Sequence, residues 1–482
     1  MAILSETPPK EVFKYFEEIC AIPHGSGNTK QISDYCVNFA KEHGLRYIQD
    51  DNGNVIIWKE GTKGYEQSAP VILQGHLDMV CEKTPDSSID FETEGLTLQV
   101  KDGYISAKDT TLGGDDGIAV AMALALLDSE TIPHPPIEVV LTVDEEIGML
   151  GAAAIDCSSL KSRLMLNLDS EEEGVLLVSC AGGVTATCHL PLSRVETEGT
   201  FVTLKISGLT GGHSGVEIHK GRANANQLLG RTLNELDNLI SYELISVTGG
   251  LKDNAIPREA EAGLVVAYED MSAVKELVEK YNDIYRAEYH ITDPELSLTV
   301  SVGEKGVYTV VDSISRKYMI AALVNVPCGV LRMSLDIPGL VQTSLNMGIL
   351  DTGSDEMVMK FSIRSNVGTE KEEMVSRLKN LMEIFGGTIE ISGNYPAWEY
   401  NKDSKLRNLM VEIFEEQYGK KPAVEAIHAG VECGLFAGKL PGLDCVSIGP
   451  EIKDIHTPGE RMDIASVKRT WDFVLEILKR LL

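Results

Sequence analysis

The sequence predicts an α/β protein, a central mixed sheet flanked by helices, with a second, α+β domain inserted into it. Three observations carry this. Short apolar runs such as Val71–Gly75, Ile137–Val143 and Leu164–Leu168 read as buried strands, alternate with helix-forming stretches, and each leads into a histidine or an acid. After Gly182 the texture changes to alternating, hairpin-like strands without acidic tips. A chain of 482 residues also exceeds one ordinary core, so two domains, or one with a large insertion, are expected. The first domain is placed at 1–186 and 396–482, and the insertion at 187–395.

Val12, Phe13, Phe16 and Ile19 have helical spacing, and Ile32, Tyr35, Cys36 and Phe39 repeat it, so two surface helices open the chain. Strand-like runs follow at Leu45–Ile48, Asn54–Trp58, Val71–His76 and Gly103–Ala107. Gly113-Gly114 then turns the backbone into Ala119–Leu127, an Ala/Leu/Met stretch of high helix propensity. Ile137–Val143 is a buried-strand pattern, Met149–Ile155 a short helix, and Arg163–Asp169 one more apolar strand ending in an acid. In the insertion, strands are predicted at Val184–Leu190, Phe201–Ser207, Tyr242–Thr248, Ala262–Tyr268, Leu296–Val302, Gly339–Met347 and Met357–Arg364. Its helices are predicted at Asn224–Asp237, Ala273–Tyr285, Ser315–Val326 and Lys371–Phe385. A helix at Leu406–Tyr418, short segments at Val424–Ala429 and Val446–Ile448, and the amphipathic Ile464–Leu481 complete the first domain.

Lys+Arg 43 against Asp+Glu 73 leaves a net charge of −30, and no basic run interrupts it. That balance repels phosphate backbones and excludes nucleic acid as a partner, while it suits a protein that holds hard cations. Nine scattered cysteines with no C-x-x-C pair are neither a disulfide framework nor a zinc knuckle, and they point to a reducing compartment. The first ten residues lack the apolar core of a signal peptide, and no run of ~18 apolar residues exists to span a membrane. A cytoplasmic location without membrane attachment is therefore expected.

Five motifs carry chemistry. His76-Leu77-Asp78 ends an apolar strand, where alternation lets His76 and Asp78 point the same way. Gly113-Gly114-Asp115-Asp116-Gly117 puts two carboxylates at a helix start, Asp144-Glu145-Glu146 three acids at a strand end, and Asn167-Leu168-Asp169 one more. Ile455-His456-Thr457-Pro458 adds a late histidine. Each has an ordinary explanation: His-x-Asp is common, aspartate caps helices, acids decorate loops, and a lone histidine before Thr-Pro is a loop residue. Four successive segments delivering ligand-type groups at corresponding strand ends are not explained by coincidence. A nucleotide site would want Gly-x-Gly-x-x-Gly after a strand, and Gly113-Gly114 lacks that spacing.

In this order, and with His-Ala-Gly-Val-Glu-Cys-Gly at 428–434, the motifs resemble the M20 metallopeptidases over nearly the whole chain, in particular their cytosolic Xaa-His or non-specific dipeptidase branch. Gly114 stands where the family often has alanine. The resemblance implies a zinc-peptidase-like catalytic domain, an inserted lid domain, and two divalent ions, zinc with manganese or cobalt as alternatives. Asp115 would bridge them, His76 and Asp169 would complete one, and Glu146 and His456 the other. Glu145 would be the general base for a water activated between the ions, and Asp78 would orient His76. In the lid, His213 of Gly-Gly-His-Ser-Gly resembles an oxyanion-stabilising histidine that many dimeric relatives supply from the partner subunit. Arg364 matches an arginine that holds the substrate's free carboxylate, with Asn254 as a weaker candidate for the same pocket. Glu432 is assigned to the substrate's ammonium or to a structural role, and His428 to support. The implied activity is hydrolysis of unblocked dipeptides by a homodimer. N-acyl amino acid deacylation or tripeptide cleavage at the same site is the alternative, and a non-catalytic binding protein on the same fold is the third reading.

Overall fold

The computed structural model describes residues 3–481. The chain divides into two compact units. One is formed by the chain up to Ser179, Tyr400–Ala426 and the chain from Val431 onward; the other by Cys180–Glu399 with Ile427–Gly430. These limits differ by a few residues from the expected cuts at 186 and 395. The strand Gly182–Pro191 is already paired with Glu356–Ser365 from its first residue, and Trp398 bridges back to Cys180. Ile427 and Ala429 join the second unit because both carbonyls accept from the Ala181 amide.

The first unit is built on an eight-stranded mixed sheet in the order Arg46–Gln49, Val55–Lys59, Ile137–Thr142, Val71–His76, Leu164–Asn167, Asp444–Ser447, Val175–Cys180, Ala423–Ile427. Val71–His76 runs parallel to both its neighbours, and Asp444–Ser447 runs parallel to Leu164–Asn167. Val71–His76 and Ile137–Thr142 are buried at every position, which is why both read as unbroken apolar runs. The helix Gly114–Asp128 is buried from Gly117 through Leu127 and packs on Val71–His76 and on the helix Lys10–Cys20. Apolar on all sides, it belongs inside the unit. A four-stranded sheet, Ile452–Lys453, Arg461–Asp463, Tyr104–Ala107 and Leu98–Lys101, completes this unit.

The second unit is a nine-stranded antiparallel sheet, with Ser297–Val311 at one edge paired to Arg194–Ser207. The helices Ala225–Asp237, Met271–Glu288, Ser313–Asn325 and Gly368–Ile384 close over it. Leu229, Leu233, Val274, Met319 and Met382 pack in one core with Leu204, Leu264, Met347 and Phe361 of the strands. Asn224 caps the first of these helices by accepting from the amides of Asn226 and Gln227. Among the described residues, no helix is long and apolar enough to cross a membrane.

Candidate metal centre

Three parallel neighbours bring ligand-type groups to one end of the first unit's sheet. Val71–His76 ends in His76, Ile137–Thr142 leads into Asp144-Glu145-Glu146, and Leu164–Asn167 leads into Asp169. Their carboxyl ends coincide because they run parallel, the place where α/β sheets gather ligands. The helix Gly114–Asp128 contributes Asp115 from its first turn, entered through Gly113 in the left-handed region at φ 66°. The helix approaches the strand closely at Gly75, where a Cβ would lie 2.5 Å from Asp116 Oδ2. That carboxylate accepts the His76 amide at 3.1 Å. His456 comes from the loop of the hairpin formed by Ile452–Lys453 and Arg461–Asp463.

Asp115 divides its two oxygens between two imidazoles. Oδ1 lies 3.0 Å from His76 Nε2, and Oδ2 lies 3.2 Å from His456 Nε2. At its Nε2 each imidazole faces one further carboxylate: His76 Nε2 lies 3.5 Å from Asp169 Oδ1, and His456 Nε2 lies 3.0 Å from Glu146 Oε1. On its other side His76 Nδ1 donates to the Asp78 carbonyl at 3.0 Å, which fixes the ring with Nε2 turned to Asp115 and Asp169. The Asp78 carboxylate, 3.4 Å from the same Nδ1, accepts from Ser26 Oγ and from the amides of Glu145 and Glu146 at 2.8, 2.9 and 3.2 Å. It thus holds the Glu145-Glu146 turn as well as facing the ring.

The electrostatics are those of crowded acids. Burial pushes Glu145 up to about 8, and the negative charges of Asp169, Glu146 and Asp115 add to it against His76. Burial raises Asp116 and Asp169 well above the usual carboxylate range, and raises Glu171 to about 7. Asp115 is held below that range in spite of its burial, because His456 and His76 hydrogen-bond to it. The same bonds, from Asp115 and Glu146, lift His456 to about 10. Three groupings of ligand atoms within 4.8 Å recur here: His76, Asp116 and Asp169; His76, Glu145 and Glu146; and Asp115, Glu146 and His456. Imidazoles with carboxylates are a donor set for divalent transition metals, and a shared carboxylate between two such sets suits a pair of ions. The residues present therefore fit the group that the motifs imply.

The second unit assembles a different cluster. His213 Nδ1 accepts the amides of Gly215 and Val216, both at 3.2 Å, so its proton sits on Nε2. Burial, with Arg364 adding, lowers His213. Arg364 is buried, donates from Nη1 to Tyr395 Oη at 2.9 Å, and has no partner for Nε among the described residues. Gly215 lies against both, since a Cβ there would sit 2.9 Å from His213 Cε1 and 3.1 Å from Arg364 Nε. The exposed Asn254 is adjacent, its carbonyl accepting the Ser214 amide at 2.9 Å. His428 is buried between Ser344 Oγ at 2.7 Å and Asn366 Oδ1 at 3.2 Å.

Glu432, in contrast, is fully buried in the first unit, where Oε2 accepts from Gln74 Nε2 and from Thr142 Oγ1, and Oε1 has no partner among the described residues. Burial pushes it up to about 8. Asp116, Gln74 and Tyr395 carry parts of these arrangements, and the Glu460 carboxylate accepts the amides of Leu112, Gly113 and Gly114 beside them. Asp116 lies inside the Gly113–Gly117 motif and Glu460 two residues beyond Pro458, so proximity to a ligand-type residue is the signal the sequence offers.

Known proteins match this arrangement from several directions. The description peptidase family M20/M25/M40 matches residues 72–480. The chain belongs to this family. It is 39% identical to the cytosol non-specific dipeptidase of Escherichia coli (strain K12), over 100% of this chain and 99% of that one. The crystal structure of aminoacylhistidine dipeptidase from Vibrio alginolyticus superposes with a TM-score of 0.93 at 37% identity, covering 99% of this chain and 97% of that one. An aminopeptidase from Bacillus cereus, 16% identical over 98% of this chain and 99% of its own, shares the fold with a TM-score of 0.57. This M20 chain is accordingly a hydrolase of the peptidase class with a mixed α/β fold.

Proposed function

We propose that this M20 enzyme hydrolyses the peptide bond of unblocked dipeptides at a pair of divalent cations, zinc by preference. The observation that carries the reading is the division of the Asp115 oxygens between His76 and His456, each imidazole facing one further carboxylate. His76 and Asp169 would hold one ion, Glu146 and His456 the other, and Asp115 both. Such ions, when bound, supply Lewis acidity toward a water molecule and toward the peptide carbonyl.

The chain's own residues do the rest. Glu145 takes the proton of the attacking water at its carboxylate and returns it to the leaving amine. Asp78 orients the His76 ring through its carbonyl and holds the Glu145 amide through its carboxylate. His213, with its proton on Nε2, is a donor for the developing oxyanion. Arg364, whose Nε lacks a partner among the described residues, takes the substrate's free carboxylate, and Asn254 extends that pocket. Glu432, enclosed by Gln74 and Thr142, is assigned to the strands that carry the site and not to the substrate's ammonium. The second unit acts as the lid, the working form is a homodimer, and the location is the cytosol. Nine scattered cysteines with no C-x-x-C pair and the cytosolic dipeptidase relative support that location.

The test is hydrolysis of an Xaa-His dipeptide by the zinc-loaded protein beside the matching tripeptide and N-acetyl amino acid, each with and without chelator. Chelator-sensitive cleavage of the dipeptide alone is expected. Cleavage of the acetylated compound instead would overturn the substrate, and chelator-resistant cleavage would overturn the metal reading.

A further inference from the structure

We infer that Glu460 is a positioning residue that locks the turn carrying Asp115 to the loop carrying His456. The helix Gly114–Asp128 begins without a cap of its own, since Gly113 has no side chain to accept from the first amides. Glu460 fills that role from 346 residues away. Its Oε2 accepts the Leu112 amide at 2.7 Å and the Gly113 amide at 3.2 Å, and its Oε1 accepts the Gly114 amide at 2.8 Å. The side chain is 3% exposed, so these three bonds form away from competing water. The positive end of the helix dipole adds to the attraction.

The consequence lies in what stands at each end of this contact. Asp115 follows Gly114 directly. His456 lies four residues before Glu460 in the hairpin loop, which spans 454–460. That loop holds two non-glycine residues in the left-handed region, Asp454 at φ 53° and His456 at φ 59°. Such conformations cost free energy and persist where surrounding contacts hold them. The strand Arg461–Asp463 supplies one anchor by pairing with Tyr104–Ser106, and the buried Glu460 carboxylate supplies the other. Without the carboxylate, the loop keeps its internal bonds, Thr457 Oγ1 to the Asp454 carbonyl and Arg461 to the Asp454 carboxylate, but loses its tie to the amides at 112–114, and the exposed His456 then reaches the helix start through Asp115. Of the donors of one ion, Asp115, Glu146 and His456, two thus stand on the two sides of the contact that Glu460 makes, Asp115 on the helix start and His456 on the late loop.

The inference rests on the two-ion reading, and zinc titration of the metal-free enzyme tests both separately. E460A removes all three bonds, while E460Q keeps the shape and one acceptor oxygen but turns an N–H₂ toward an amide. Calorimetric titration of native protein, E460Q and E460A, with thermal unfolding of each metal-free form, is the measurement. In E460Q the weaker of two zinc equivalents is expected to lose about ten- to hundredfold in affinity while metal-free unfolding stays cooperative. H456A should abolish the same equivalent, and E460Q added to H456A should cost nothing further. Native affinity for both equivalents in E460Q and E460A overturns the inference, as does a parallel loss of metal-free stability and of both equivalents. Native protein that takes up no zinc overturns the two-ion reading itself, an outcome distinct from uptake that the substitutions leave unchanged.

Discussion

Glu145→Gln separates proton transfer from everything else the centre does. The substitution keeps side-chain volume, and the two bonds that fix the turn run from the amides of Glu145 and Glu146 to Asp78 at 2.9 and 3.2 Å, so neither involves the side chain. Among the described residues the carboxylate makes no hydrogen bond of its own, yet its oxygen stands within 4.8 Å of donor atoms of His76 and Glu146. That is the span of one bridging water. Loss of a general base costs about 10²–10⁴ in rate, or about 2.7–5.4 kcal/mol of barrier. Native zinc content, native unfolding and an unchanged KM are expected beside a kcat reduced by that factor. The assay is continuous dipeptide hydrolysis with metal content measured on the same samples. A kcat within about tenfold of native at full metal loading would refute the assignment.

Arg364→Ala should raise KM and lower kcat/KM for free dipeptides by about 2–5 kcal/mol, at least about thirtyfold, with a much smaller effect on the same dipeptides carrying a C-terminal amide in place of the carboxylate. Equal losses on acid and amide would remove Arg364 from carboxylate recognition. His428, held by burial and by Arg364 at about 3, stays neutral in the fold and protonates near 6.5 when unfolded. Its contribution is therefore complete above about pH 6.5 and is lost as the pH falls toward 3, about 2 kcal/mol by pH 5. Urea unfolding at both pH values should show that loss in native protein and its absence in His428→Asn, and parallel slopes would refute it.

Much of the first unit was legible because buried parallel strands write themselves as bounded apolar runs. Val71–His76 was read with its observed limits, and Ile137–Thr142 within one residue. The long edge strand Ser297–Val311 was read only as far as Val302. Beyond Leu298 most of its side chains are exposed, so no alternation of buried and polar residues marks the rest. Thr388–Tyr395 escaped for the same reason, being exposed or half-buried throughout. The short helix Glu432–Lys439 escaped because three of its eight residues are glycine or cysteine, which carry little helical signal.

The candidate site divides along another physical line. Residues that would meet a cation directly are legible one at a time, because imidazole and carboxylate at strand ends are informative wherever the chain puts them. Residues that act on those groups are not, since their meaning depends on what folds against them. Glu460 sits two positions after Pro458, just beyond the His456 motif, yet nothing local says that its carboxylate reaches three amides at 112–114. Glu432 shows the converse case. An acid in a glycine-rich motif invites a substrate role, but a fully buried carboxylate bonded to Gln74 and Thr142 is committed to the strands bearing His76 and Glu145. Asn167 extends the same net by donating to Gln74 Oε1. Gln74, Thr142 and Asn167 each stand two or three residues before a ligand-type or base residue on three adjacent strands. One buried carboxyl group therefore ties together the ends of all three, and the spacing of the groups above depends on contacts that no single stretch of sequence contains.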